Sequence, residues 1–144
     1  MKARHLFALA TMVLTVGACN DDDDITGPGG AREFTATLIG ANEVPVVSQA
    51  GSRTATFTLN EAETSMNWSV TVSGMTSNIT NAHIHLGRAG GLVVGLTGFP
   101  TATTGTWSGT LTSTANADLS QGFTWESLIA LMRTGDVYVN VHTS

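Results

Sequence analysis

Residues 66–73 read Met-Asn-Trp-Ser-Val-Thr-Val-Ser, and every second side chain in this stretch is apolar. Successive side chains of a β-strand point to opposite faces, so a period of two predicts a strand with one dry face and one polar face. Residues 34–38 and 54–59 repeat the alternation with threonine at the polar positions. An antiparallel sheet that packs one face on a core and exposes the other to water has this pattern.

Outward from this stretch, four more segments have strand-like composition between turn residues: 81–86, 92–96, 105–112 and 136–142. Together with the first three, they give seven short strands in about 110 residues, which predicts an all-β fold. The expected architecture is an antiparallel two-sheet sandwich or a flattened barrel.

The segment from Thr124 to Gly135 departs from the alternation, and we expect it to form one short helix that bridges a sheet edge near the C-terminus. Leu128, Leu131 and Met132 have the spacing of one helical face. Thr124 is a candidate N-cap because its hydroxyl can accept from the first free amides of a helix. Gly135 is a candidate C-cap of this helix because glycine adopts the left-handed conformation that often terminates helices.

The N-terminus resembles a secretory signal peptide. Lys2 and Arg4 precede an apolar run over residues 6–16, and the small residues Gly17 and Ala18 follow it. That run is too short for a transmembrane helix, which needs about 20 apolar residues. The chain is therefore predicted to contain a signal peptide, a tether and one β-domain, at residues 1–18, 19–31 and 32–144.

Cys19 is the only cysteine of the chain and directly follows residues 16–18, Val-Gly-Ala. This arrangement resembles the lipobox of bacterial lipoproteins, in which the peptidase cuts before a cysteine that carries diacylglycerol. The resemblance implies palmitate on Cys19 and anchoring to a bacterial membrane, facing the periplasm or the cell surface. The alternative is a chance cysteine after an ordinary signal peptide, but acylation accounts for a lone cysteine in an exported chain.

The tether begins with four consecutive aspartates, Asp21 to Asp24, and continues into a stretch rich in glycine. Such a segment repels itself and has little to bury, so it should stay extended and solvated. A calcium site is an alternative that adjacent carboxylates rarely form unaided. The chain has 6 basic and 11 acidic residues, and removal of residues 1–18 takes two of the basic ones. Nucleic acid and anionic lipid headgroups are therefore poor partners.

Three histidines of the predicted domain fall into two alternating strands. In the first strand, His83 and His85 point away from the apolar side chains between and beside them. In the second, Tyr138, Asn140 and His142 point away from three valines. If the two strands pair antiparallel, the three imidazoles share one surface. Two histidines at i and i+2 with a third from a neighbouring strand can bind zinc or copper.

A structural role is the favoured interpretation of these histidines. His83 and His85 would then hydrogen-bond to loop carbonyls or to Glu43 and hold the strand ends. No other group of residues suggests catalysis, because there is no second cysteine and no G-x-S-x-G motif. The glycine-rich residues 87–91 join two strands and open no helix, which argues against a phosphate cradle. We therefore predict that the chain is not an enzyme.

Four segments occur in the order seen in CHRD domains, the module named after chordin: residues 34–38, 42–45, 82–87 and 135–143. The resemblance extends over nearly all of residues 32–143. It implies an all-β extracellular module, which in chordin belongs to a protein that binds growth factors. Bacterial members of the family mostly lack an assigned activity, so the resemblance supports the fold more than the function.

The shared segments contain four polar residues that are candidate structural or binding residues: Asn42, Glu43, Tyr138 and Asn140. Glu43 interrupts an alternating strand, which makes it a candidate for a specific role. The alternative is that it is an exposed residue of an ordinary turn. The chain also departs from the family in two places. CHRD domains usually continue past the His-Thr pair into a last strand, whereas this chain stops at Ser144, so we expect that strand to be missing. The glycine loop after His85 is also shorter than in typical members.

These observations lead to two hypotheses of different classes. The first is a lipid-anchored binding or structural module outside the cytoplasm, without catalysis or cofactor, whose partners are the membrane and an extracytoplasmic protein. The second is an exported protein that binds one copper or zinc ion through His83, His85 and His142. A hydrolase, the third class considered, has no support beyond scattered serine and glutamate residues.

Overall fold

The computed structural model describes residues 30–40, 53–87, 90–99, 101–114, 119–120 and 122–144. Within these residues the elements are, in order, β1 (Glu33–Thr37), β2 (Arg53–Leu59), β3 (Ser65–Val72), β4 (Ile79–Leu86), β5 (Leu92–Leu96), β6 (Gly105–Thr112), α1 (Trp125–Thr134) and β7 (Val137–Thr143). The predicted all-β class with one short helix near the C-terminus is confirmed. In this part of the chain, no helix is long and apolar enough to cross a membrane.

The strands form two antiparallel sheets. One has the order β1-β2-β3-β6 and the other the order β5-β4-β7. Their buried apolar side chains belong to one core, so the fold is a two-sheet sandwich. The described strands do not close into the flattened barrel that the alternation also allowed, because they form two separate sheets, each with two edge strands.

The stretch that starts at residue 66 lies in the middle of the four-stranded sheet. Strand β3 pairs with β2 on one side and with β6 on the other, and its four apolar side chains are buried. Trp68 lies opposite Phe57 on β2 and Gly109 on β6. Its ring stacks on Phe99, with the ring centroids 5.6 Å apart. The period of two in the sequence therefore determines which side chains enter the core.

Helix α1 has the two caps that the sequence predicts. The Thr124 side chain accepts a hydrogen bond from the backbone amide of Ser127, and the Ser127 hydroxyl oxygen accepts one from the amide of Thr124. This reciprocal pair satisfies two amides that have no partner inside the helix. At the other end, Gly135 has φ of 74°, a left-handed conformation that glycine adopts without steric cost.

The helix joins the two sheets at one end of the sandwich. The indole nitrogen of Trp125 donates to the backbone carbonyl of Glu63, in the turn between β2 and β3, at 2.6 Å. Arg133, in the last turn of the helix, forms an ion pair with the Glu63 carboxylate at 2.6 Å. Just after the helix, the carbonyl of Asp136 accepts from the amide of Gly87, which follows β4. The helix is therefore connected to one strand end in each sheet.

Acid is expected to weaken the link between α1 and the β2–β3 turn. The hydrogen bond from Arg133 is the main cause that holds the pKa of Glu63 below its ordinary value. Because the folded-state pKa is depressed, the carboxylate stabilises the fold above its unfolded pKa of about 4.3, and that contribution disappears as the pH falls through the folded pKa. In melting experiments from about pH 7 to about pH 3, Glu63→Gln should lose less thermal stability than the wild type. Equal losses would contradict this prediction.

Candidate functional site

The three histidines lie on one face of the three-stranded sheet, the face turned away from the core. Strands β4 and β7 are antiparallel, with His83 opposite Asn140, His85 opposite Tyr138, and Asn81 opposite His142. Since directly opposite residues of a sheet point to the same side, the pairing aligns these side chains. We call this surface, formed by His83, His85, Tyr138, Asn140 and His142, the histidine face.

The imidazoles are in direct contact. His83 Nδ1 and His142 Nε2 are 2.9 Å apart, a hydrogen-bond distance, although the two residues are 59 positions apart in the chain. The ring centroids of His83 and His85 are 5.6 Å apart, and those of His85 and His142 are 6.5 Å apart. One ring nitrogen from each histidine can be chosen so that all three lie within 4.8 Å of one another. The tertiary structure thus brings together all three candidate ligands.

His85 is held in one orientation by its neighbours. Its Nδ1 lies 3.2 Å from the carbonyl oxygen of Gly90, which can only accept, so Nδ1 carries the hydrogen. The ring also stacks on Tyr138, with centroids 5.2 Å apart and planes 16° apart. The other ring nitrogen, Nε2, is buried and has no hydrogen-bond partner among the described residues. Its lone pair is therefore a buried acceptor to which no described residue donates.

Burial favours the neutral forms of His83 and His85. Desolvation is the main cause that lowers the pKa of His83, and the nearby His85 lowers it further by charge repulsion. Desolvation also lowers the pKa of His85, against an opposing effect of the hydrogen bond to Gly90. Burial raises the pKa of the Tyr138 phenol. Neutral imidazoles keep the lone pairs that a metal or a hydrogen-bond donor needs.

Sequence reasoning did not anticipate how sheltered this face is. Alternation in β7 predicts a dry valine face and an opposite polar face, yet both faces of the strand are largely buried. Asn140 is only 1% exposed and Tyr138 only 8%. The carbonyl of Gly90 was also not singled out, although a loop carbonyl was one expected partner of His83 and His85. The glycine-rich sequence directly after the second histidine is the signal that points to this carbonyl.

The remaining candidate residues lie outside the described part of the chain. These are Cys19, Asn42 and Glu43. The structure therefore gives no position for the lipidation site or for the predicted contact between Glu43 and the histidines.

Comparison with known proteins gives one match. The model of the family described as CHRD domain matches residues 34–144, which include both strands of the histidine face and helix α1. No curated protein and no solved structure matches the chain.

Proposed function

This chain belongs to the CHRD-domain family, and we propose that it is an exported module that catalyses no reaction. In this proposal, a lipid holds the module at the membrane, and the histidine face binds its partner. CHRD domains are typically extracellular or exported, and the family supports a non-catalytic extracellular module in general. The lipid anchor and the binding face are the specific parts of the proposal.

The observation that carries the proposal is the contrast between the two outer faces of the sandwich. On the four-stranded sheet, Thr54, Thr71 and Thr106 form one row across three strands, and the row is exposed to water. On the three-stranded sheet, the three histidines are half-buried, and Tyr138 and Asn140 are buried. Sheltering polar groups is unfavourable unless they are engaged, so such groups concentrate at binding sites. The histidine face is therefore the better candidate for a ligand or partner.

Lipid attachment at Cys19 is supported by the order of segments in the sequence. The apolar run precedes Cys19, and the acidic tether of residues 19–31 leads into the domain. The carbonyl oxygens of Gly30 and Ala31 accept from the Arg133 side chain, so the chain enters the domain beside the end of α1. Each acyl methylene buried in a bilayer contributes about 0.8 kcal/mol, and two or three chains make attachment effectively permanent.

The anchor is tested by Cys19→Ser in the full chain. The wild type should incorporate labelled palmitate, stay with the membrane after a carbonate wash, and accumulate as a precursor when globomycin is added. Cys19→Ser should incorporate no palmitate and should remain an unprocessed precursor with or without globomycin, whereas Asp24→Asn, which alters the tether and keeps the cysteine, should behave like the wild type. A wild-type protein that incorporates no palmitate would refute the anchor.

The binding face is tested by photo-cross-linking in the producing cell. A photo-reactive residue is placed at Leu92, which is 38% exposed and lies opposite His85 in the sheet, or at Thr56 on the outer face of the other sheet. We expect a discrete cross-linked species from position 92 and none from position 56. A species that forms equally at both positions would contradict the assignment of the face.

A further inference from the structure

We infer that His83, His85 and His142 form a binding site for a single transition-metal ion and that copper is the ion it binds most tightly. The inference rests on the proposed function only in placing the site on the histidine face. It does not depend on the lipid anchor, since the cluster belongs entirely to the folded domain.

The geometry of the cluster is close to that of a three-histidine centre. Metal-to-imidazole bonds of about 2.0 to 2.1 Å in a tetrahedral arrangement place the ligating nitrogens about 3.3 Å apart. Here the three candidate nitrogens lie within 4.8 Å of one another. The closest pair named above, on His83 and His142, is 2.9 Å apart. The two nitrogens of the widest pair have to approach by about 1.5 Å, and rotation of the side chains can supply this movement without a shift of the strands.

His85 already has the surroundings of a metal ligand. Ligating histidines almost always donate their second ring N–H to a carboxylate, a backbone carbonyl or water, which sets the tautomer and aims the free nitrogen. In this protein the Gly90 carbonyl accepts from Nδ1, and Tyr138 fixes the plane of the ring. The remaining Nε2 is a buried acceptor without a donor among the described residues, an arrangement that costs free energy unless something occupies it. A metal ion satisfies that lone pair.

The other two histidines can exchange their mutual hydrogen bond for a metal ion. One of His83 Nδ1 and His142 Nε2 carries the hydrogen that the pair shares. If that hydrogen moves to the other nitrogen of its own imidazole, both lone pairs can face the ion, and no charge is created. On β5, the residue opposite His83 is Gly95, and even an added Cβ there would stay 3.8 Å from the imidazole, so this side of the ring is not crowded.

The donor set favours copper. All three ligands are imidazole nitrogens, and the described residues add no thiolate or carboxylate to the cluster. Imidazole suits both copper and zinc, but affinities of such sites rise to a maximum at copper(II) in the first transition row. Three protein ligands also leave a fourth position for water or another small ligand, a feature that copper and three-histidine zinc centres share.

The test uses the untagged full chain with Cys19→Ser, which removes the lipid and the only thiol. After loading with copper(II) chloride and gel filtration, we expect one copper per chain and an electron paramagnetic resonance spectrum with nitrogen hyperfine splitting. Zinc chloride should bind more weakly and be displaced by copper. Free copper at about 100 times its Kd should raise the melting temperature by about 10 °C, and a chelator should reverse this rise.

Variants distinguish this centre from metal bound elsewhere. His85→Gln and His142→Gln should each lower copper affinity by at least about a hundredfold, because even the loss of a residue that only supports a ligand costs about 10- to 100-fold. Thr56→Ala is the control, since Thr56 is exposed on the outer face of the other sheet, away from the cluster. It should still bind one copper. Circular dichroism and the melting temperature without metal confirm that each variant is folded.

Three metal-binding results, and a fourth from stability, would overturn the inference. The metal-binding results are the absence of stoichiometric copper or zinc after loading, copper that stays bound in a His83→Gln/His85→Gln/His142→Gln variant, and a spectrum without nitrogen splitting. If the variants lose stability while chelator has no effect on the loaded protein, the histidines are structural and the site is refuted. Each of these results leaves palmitate labelling and cross-linking unaffected, so the two proposals fail separately.

Discussion

Trp68→Ala should lower the free energy of unfolding by about 3 to 5 kcal/mol, the cost of removing a large aromatic side chain from a packed core. Trp68 is 4% exposed and lies in the middle of β3, between Phe57 on β2 and Gly109 on β6. Its ring also stacks on Phe99. The substitution therefore removes packing against β2, β6 and the segment that follows β5. The free energy of unfolding of an ordinary domain is about 5 to 15 kcal/mol, so the substitution would remove a large part of it.

Urea denaturation followed by circular dichroism measures this loss. Ser69→Ala is the matched control, because Ser69 is the next residue on β3 and points to the opposite face. That substitution should change the free energy of unfolding by no more than about 0.5 kcal/mol. A Trp68→Ala variant that melts within a few degrees of the wild type would show that the indole does not pack as described.

The second large effect is expected at Gly109, the cross-strand neighbour of Trp68. A Cβ atom at this position would lie 2.7 Å from Trp68 Cζ2 and 2.9 Å from Nε1, closer than real Cβ contacts. Because the nearest atoms belong to a buried ring, the ring cannot simply swing into water. Gly109→Val should therefore destabilise the fold by about 1 to 3 kcal/mol through overpacking. Glycine is required here by the volume of the indole.

A double-mutant cycle tests this cause. If the valine is unfavourable because it meets the indole, Gly109→Val should cost less in a Trp68→Leu background, since the smaller side chain leaves room. Thr110→Val is the control, because Thr110 is the next residue on β6 and is exposed. Additive costs in the cycle would mean that the clash with Trp68 is not the cause.

The sequence by itself determined which segments are strands, where the helix begins and ends, and which side of β1, β2, β3, β4 and β7 faces the core. The alternation from residue 66 and the caps at Thr124 and Gly135 are local features, because side-chain direction and capping depend on residues only a few positions apart. For the same reason, strand parity placed His83 and His85 on one side of β4. The choice between sandwich and barrel was not determined, because alternation is the same in both architectures.

Only the tertiary structure decided which strands pair and what lies beside each side chain. The contact between His83 and His142 depends on the antiparallel register of β4 and β7, and a shift by one residue would turn His142 to the other face. The shelter around Asn140 and the space for Trp68 above Gly109 likewise depend on neighbours distant in the chain. Long-range pairing follows from the burial of the whole core, which no local pattern contains. The histidine cluster is therefore formed by the tertiary structure, although the sequence alone identifies each of its residues as a candidate.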